Sequence, residues 1–382
     1  MRVVVVGGGI VGVATAYYLA ERGADVTVCE QGTLGNGATE RSAGGIRTQF
    51  STAVNVRLSQ ASVEVWESFA ERFGTDIDYR RTGYLFLARE EGTADAFAAT
   101  VSMQNDLGVP SELLSPSAAR AHCPALHADR FVAATYCARD GIADPHLALQ
   151  GFARAAREAG VEVRTHTPVT DIRLEDGRVG GVGTGDGSVD ADVVVNAAGA
   201  WAGGLNEFVG VDLPVAPRRR QIAVVEPSRD LPADVPLTID LDTGSYFRPE
   251  RAGTALVGGH FADTDPDADP DSYDEGMDMS WAARAVERAV DCAGYFGPET
   301  RIRRGWAGLY AVTPDHHPIV DEVRPGYVTA VGFSGHGFQH APATGQLVAD
   351  LVLDGRSSLV DADALAADRF ERGRTHDERN VA

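Results

Sequence analysis

Lysine is missing altogether: the 34 basic residues of this 382-residue chain are all arginines, and they face 55 acids. The formal charge of -21 repels polyanions, which excludes nucleic acid and anionic lipid as partners. Such acidity in an otherwise ordinary composition fits a halophilic, high-salt cytoplasm, where a Debye length of roughly 3 Å at 1 M screens self-repulsion. Cysteine is scarce. Cys29, Cys123, Cys137 and Cys292 form no C-x-x-C pair and no zinc spacing, so no metal site is expected. No uncharged apolar run is long enough to span a bilayer, and the glycine-broken N-terminus lacks the pattern of a signal peptide. The expectation is a soluble, cytoplasmic, non-transmembrane protein. Hydrophobic residues make up 44 % of the chain, which excludes wholesale disorder, and no internal repeat stands out.

What is present begins with a βαβ unit. Residues 2–6 form a continuous apolar run, as expected of a parallel strand covered on both faces. A glycine turn, a helix from about Ile10 to Arg22 and a second strand over 25–30 follow within thirty residues. Helical patterns recur at 53–73, 147–159, 281–290 and 341–353. Strand patterns occur at 84–88, 161–165, 193–196, 221–226, 255–258 and 327–331, with a hairpin or meander over 169–192. The expected fold class is α/β: a Rossmann-like dinucleotide domain of discontinuous segments (1–75, 141–210 and 311–369) and an α+β substrate lobe with an antiparallel sheet (76–140 and 211–310). Residues 370–382 read as a polar, frayed tail. The stretch 262–278 carries eight acids but has Ala268 where a calcium loop needs glycine, so it reads as a solvated loop.

Gly7, Gly9 and Gly12 make G-x-G-x-x-G between strand and helix. The first permits the tight turn, the second lets a pyrophosphate approach the backbone, and the third lets helix and strand pack. The helix start, with Ile10 and Val11, offers free N–H groups and a positive dipole end to phosphates. Glu30 closes the second strand, where a carboxylate accepts hydrogen bonds from ribose hydroxyls. Gly183, Gly185 and Gly187 make no second fingerprint, so one dinucleotide is expected.

Four further segments, 40–50 (ERSAGGIRTQF), 194–202 (VVNAAGAWA), 309–321 (LYAVTPDHHPIVD) and 332–345 (GFSGHGFQHAPATG), resemble the D-amino-acid oxidase superfamily of flavoproteins, especially its sarcosine oxidase branch. The resemblance implies FAD. It places Arg41, Ser42, Gly45 and Arg47 along the pyrophosphate and flavin, Val169 at the adenine, and Ala198, Gly199 and Trp201 along the cofactor channel. Gly335, His336, Gly337, Phe338 and Gln339 fall at the start of the final helix, whose N-terminus stabilises negative charge on a reduced flavin. Tyr246, Arg248 and His260, within YFRP and ALVGGH, become candidates for the substrate pocket.

The departures from the branch are equally informative. Its lysine associated with dioxygen activation falls at Leu256, its carboxylate-binding lysine at Gln339, its second carboxylate-binding arginine at Phe50 and its flavin-tethering cysteine at Gly308. Non-covalent FAD is therefore expected, and a dehydrogenase rather than a strict oxidase. The expected reaction is oxidation of a small amine or amino acid (sarcosine-, glycine- or proline-like) to an imine by hydride transfer to flavin, with Arg47 or Arg248 anchoring a carboxylate. The electron acceptor is dioxygen, a partner protein or the quinone pool, and the oligomeric state is not specified. Two alternatives stay open: a 2-hydroxy-acid dehydrogenase on the same fold, and a flavin-binding respiratory assembly factor, which GGIRTQF also resembles.

Overall fold

The computed structural model describes residues 1–261 and 265–381; Ala262, Asp263 and Thr264 of the acidic stretch lie outside the described residues. The fold is α/β. Six strands form one sheet in the order Ile319–Arg324, Tyr327–Val331, Val193–Asn196, Arg2–Val6, Asp25–Cys29, Glu162–Arg164. All neighbours run parallel except the edge strand Ile319–Arg324. Arg2–Val6 is followed in sequence by Asp25–Cys29 on one side and flanked by the distant Val193–Asn196 on the other. Strand order therefore reverses at its carboxyl end, where such sheets open a ligand crevice.

Both faces of this sheet are covered, which is why its strands read as unbroken apolar runs. Helices Ile10–Glu21, Ala53–Glu67, Pro145–Glu158 and Gly337–Asp354 build one core with Val3, Val5 and Val28. The antiparallel meander Val169–Glu175, Arg178–Thr184, Gly187–Asp190 packs Ile172, Val179 and Val182 against Val4 and Val6 on the other face.

A second sheet has eight strands in the order Arg301–Val312, Ala216–Glu226, Ala255–Gly259, Ser245–Pro249, Leu237–Asp240, Tyr84–Ala88, Ala133–Cys137, Glu112–Leu114. Its pairings are antiparallel apart from Leu237–Asp240 beside Tyr84–Ala88. Strand periodicity divides its two faces. Leu85, Phe247 and Val257 point to a core closed by helix Met279–Cys292. Tyr84, Arg220, Ile222, Leu237, Ile239, Tyr246, Trp306 and Tyr310 point to a cavity between the sheets.

Three expectations need correction. The last helix begins at Gly337, not near Ala341, so Pro342 lies inside it; a proline there removes the intrahelical bond its N–H would have made to the Phe338 carbonyl. The acidic stretch is not simply solvated. Asp265 holds Arg220 through both carboxylate oxygens (2.7 and 2.8 Å), Asp278 pairs with Arg219 (2.7 Å), and Glu275 with Arg41 (2.8 Å). The tail is not frayed throughout either: Glu378 and Asn380 are buried, Glu378 accepting from the side chains of Ser51, Thr52 and Asn55 and Asn380 bonded to the Gln49 carbonyl and to Arg47.

Candidate active site

The crevice at the end of Arg2–Val6 opens into a cavity of about 640 Å³, within the size range of small-molecule sites. At its outer end each fingerprint glycine has a distinct constraint. Gly7 has φ +113°, and a Cβ there would lie 2.4 Å from the Ala197 carbonyl oxygen. A Cβ on Gly12 would lie 2.0 Å from the Gly7 oxygen, so Gly12 is a packing residue and does not line the cavity. Gly9 differs. A Cβ there meets only Thr39 Oγ1 at 3.4 Å, and Gly9 faces the cavity. The protein itself leaves Gly9 room for a side chain, so the close approach that glycine serves is one made by a ligand. Thr39 Oγ1 accepts the Ile10 N–H at 3.1 Å, and the carboxylate of Glu30 accepts the N–H groups of Gly8 and Gly32, both at 2.7 Å.

Along the cavity lie Gly7, Gly9, Ile10, Val11, Glu30, Arg41, Ser42, Gly45, Val169, Ala198, Gly199 and Trp201. Trp201 is fixed by its Nε1–H, which donates to Asp271 at 2.7 Å. Arg41 packs its stem against Gly308, where a Cβ would meet Arg41 Cβ and Cδ at 3.0 Å. Gly335 (φ +91°) passes under the Tyr310 ring, which a Cβ would meet at 2.4 Å. Beyond it, Gly337, Phe338 and Gln339 open the final helix and line the cavity, so their N–H groups have no intrahelical acceptor. A cavity with this run of backbone N–H groups, a carboxylate and aromatic walls fits a dinucleotide such as FAD.

The inner end is aromatic and carries one buried cation. Arg47 Nη1 donates to the Gln49 carbonyl at 2.8 Å, and Nη2 meets His336 Nε2 at 3.1 Å and the Asn380 carbonyl. Its backbone N–H donates to Gln339 Oε1 at 2.8 Å, and the Phe50 ring lies 4.0 Å below its guanidinium. Gln339 and Phe50 thus both contact Arg47, one through an amide oxygen and the other through a ring face. Among the described residues no carboxylate lies within ion-pair distance of Arg47. Asp140 fixes the strand end, accepting Thr48 N–H (2.7 Å), Thr48 Oγ1 (2.6 Å) and Gln49 Nε2 (3.1 Å).

Burial dominates the ionisation of this end. It lowers the Arg47 pKa, raises those of Tyr84, Tyr246 and Tyr310, and lowers that of His336 well below 6.5, with Arg47 adding to the last effect. At neutral pH the tyrosines are phenols and His336 is neutral.

Among the residues named from sequence, Arg47, Tyr246 and His336 come together here. Arg248 and His260 do not. Arg248 lies further along the sheet in an adjoining cavity with Leu256, paired to Glu250 at 2.8 Å. His260 sits beside Asp265 at 3.7 Å, its pKa lowered by burial and by Arg220. Sequence reasoning missed Tyr84, Arg220, Tyr310 and Asn380. Tyr84 lies against Gly45, where a Cβ would come 1.9 Å from its hydroxyl, a relation that only the fold brings about. Arg220 and Asn380 carry no local signal.

Comparison with known proteins agrees with this geometry. Residues 2–351 match the family model described as FAD dependent oxidoreductase. The FAD-dependent oxidoreductase domain-containing protein 1 of Xenopus laevis is 32 % identical over 434 residues, covering 99 % of this chain and 84 % of that protein. Glycine oxidase of Geobacillus kaustophilus is 31 % identical over 364 residues, covering 92 % of each. The crystal structure of L-proline dehydrogenase from P. horikoshii superposes with a TM-score of 0.90 at 34 % identity, covering 98 % of this chain and 99 % of that one. The chain therefore belongs to the FAD-dependent oxidoreductase (DAO) family, is an enzyme of that class, and takes FAD as its cofactor.

Proposed function

We propose that this enzyme oxidises a small amino acid, with Arg47 as anchor for the substrate carboxylate and an imine as product. The observation that carries the reading is the bonding of Arg47. A buried guanidinium whose hydrogen bonds go to carbonyls and a neutral histidine, with no carboxylate partner among the described residues, keeps its charge available for an incoming anion and still has N–H groups to donate to it. Similarity to glycine oxidase and L-proline dehydrogenase supports the amino-acid class.

FAD, when bound, supplies the acceptor for the two electrons of the C–H bond beside nitrogen. The chain's own residues supply orientation and a dry wall. Ile222, Leu237, Ile239 and the three tyrosines line the cavity and disfavour an ammonium ion by desolvation. None of these groups can take the amine proton: the phenols remain protonated, and His336 is too weak a base in its buried position. Selection of the neutral amine thus rests on desolvation, and kcat/KM is expected to rise with pH toward the substrate's own amine pKa. Gly308, which has no side chain to form a bond, lines the cavity where the resemblance places a tethering cysteine, which supports FAD held without a covalent bond. Arg41 and Arg220 are paired with Glu275 and Asp265 and Arg47 is engaged by the substrate carboxylate, which supports a dehydrogenase that passes electrons to a carrier faster than to dioxygen.

The test is anaerobic bleaching of the flavin by a panel of glycine, sarcosine, proline, their decarboxylated amines and 2-hydroxy acids, followed by admission of air. Bleaching by amino acids well ahead of the decarboxylated amines is expected. Bleaching by hydroxy acids alone would assign the other chemistry, and no bleaching by any member would favour a role through protein partners.

A further inference from the structure

Asn380 lines the inner end of the cavity, and Glu378 anchors its segment behind it. Glu378 is 1 % exposed, and five donors hold its carboxylate. Oε1 accepts Ser51 N–H (2.8 Å), Ser51 Oγ (2.7 Å) and Asn380 N–H (3.0 Å). Oε2 accepts Thr52 Oγ1 (3.0 Å) and Asn55 Nδ2 (3.1 Å). The backbone on either side is tied as well: Glu378 N–H donates to the Asp315 carbonyl (3.1 Å), and Arg379 N–H to Ser51 Oγ (2.7 Å). Asn380, which lines the cavity, donates from Nδ2 to the Gln49 carbonyl at 3.1 Å and accepts Arg47 Nη2 on its own carbonyl.

The consequence is a bracket around one guanidinium. The Gln49 carbonyl takes Nη1, the Asn380 carbonyl takes Nη2, and the Asn380 side chain ties the two carbonyls together. A guanidinium has five N–H groups, so hydrogens remain for a ligand while the plane of the fork is fixed. Glu378 adds the electrostatic part. Burial destabilises the Arg47 cation most, and the Glu378 charge is the largest opposing influence. A carboxylate in direct contact would occupy the site meant for substrate. One held a shell away by five donors stabilises the buried cation and leaves the Nε–H and one Nη1–H of Arg47 for a ligand.

We propose that the Glu378–Asn380 strap is the positioning element of the carboxylate site, setting the orientation of Arg47 and hence the affinity for amino acids over plain amines. The inference rests on Arg47 being the carboxylate anchor. Three proteins test it: the full chain, Glu378→Gln, and a chain ended after Asp377. FAD content and Tm report integrity, and acetate titrated against flavin absorbance reports the anion site without turnover. KM and kcat are then compared for an amino acid and its decarboxylated amine.

Both variants are expected to retain FAD, to bind acetate at least about tenfold more weakly, and to raise KM for the amino acid by a similar factor with a smaller change in kcat. KM for the amine should stay within about twofold. Unchanged acetate binding, or equal losses for amino acid and amine, would reduce the strap to terminal packing and overturn the proposal. So would tighter acetate binding, which would make the strap a competitor for the site. If the shortened chain loses FAD, Glu378→Gln decides. If no amine bleaches the full chain, the proposed reaction fails, while the acetate titration still judges the strap.

Discussion

Glu30 uses one carboxylate oxygen on Gly8 N–H and the other on Gly32 N–H, and each oxygen keeps a lone pair for a ribose hydroxyl. Glu30→Gln replaces one acceptor by a donor facing an N–H, so it disturbs the glycine loop at Gly8 or Gly32 as well as any hydroxyl the carboxylate would receive from the cofactor. FAD affinity of the apoprotein, measured by quenching of flavin fluorescence, should fall by about 1–3 kcal/mol; unchanged affinity would remove Glu30 from the cofactor site. A different residue-scale consequence comes from the buried histidines. His336 lies well below its ordinary 6.5, and His340 is lowered to about 3, both chiefly by burial. As pH falls below about 6.5 the unfolded chain takes up protons before the folded one. Their stability contribution is therefore full above 6.5 and declines below it, by up to about 1.4 kcal/mol per pH unit for each. Tm should drop between pH 7 and 5, and His340→Gln should make that slope shallower. An unaltered slope in the variant would mean that His340 does not titrate with unfolding.

At the scale of elements, legibility followed how local the determining contacts are. Arg2–Val6 and Val193–Asn196 were readable because a strand covered on both faces has no polar positions to confuse the pattern. The meander at 169–190 was readable because its turns carry glycine, at Gly177 with φ +82° for example. Helix Glu91–Asp106 was not, since only Phe97, Val101 and Gln104 are buried along it and so short an apolar stripe gives no clear period. The start of the last helix was obscured by Pro342, which sequence rules place in a first turn. At the site, motif resemblance named Arg47, Tyr246 and His336. It could not reveal what surrounds Arg47, whose partner Asn380 is 333 positions away. Tyr246 and Arg248 share a strand face by spacing, yet the two fall in separate cavities, because the loop carrying Arg41, Ser42 and Ala43 stands between them and lines both. Alternation fixes a face and not a position along it.

The whole molecule carries a charge of -21, and its response to salt depends on which charge pairs lie within the screening length. At 0.1 M the Debye length is about 10 Å, long enough for surface acids to repel their neighbours; at 1 M it is about 3 Å. Ion pairs in contact respond differently. The more exposed ones, such as Arg2–Asp190, with side chains 52 % and 59 % exposed, contribute little at any salt, roughly 0–1 kcal/mol each. The better buried ones, such as Arg369–Asp315 at 2.8 Å with both side chains at most 2 % exposed, are barely reached by ions. Salt therefore removes the long-range repulsion of the excess acids while leaving the short contacts largely intact, and repulsion is the larger quantity in a chain with this imbalance. Tm is expected to rise steadily as KCl goes from 0.1 to 2 M. Sulfate would also raise Tm by being excluded from the protein surface, so the two salts need comparison at equal ionic strength. Screening makes chloride and sulfate match below about 0.5 M, where exclusion effects are still small. A flat or falling Tm in KCl, or a rise confined to sulfate, would show that the surface acids do not repel strongly enough to govern stability.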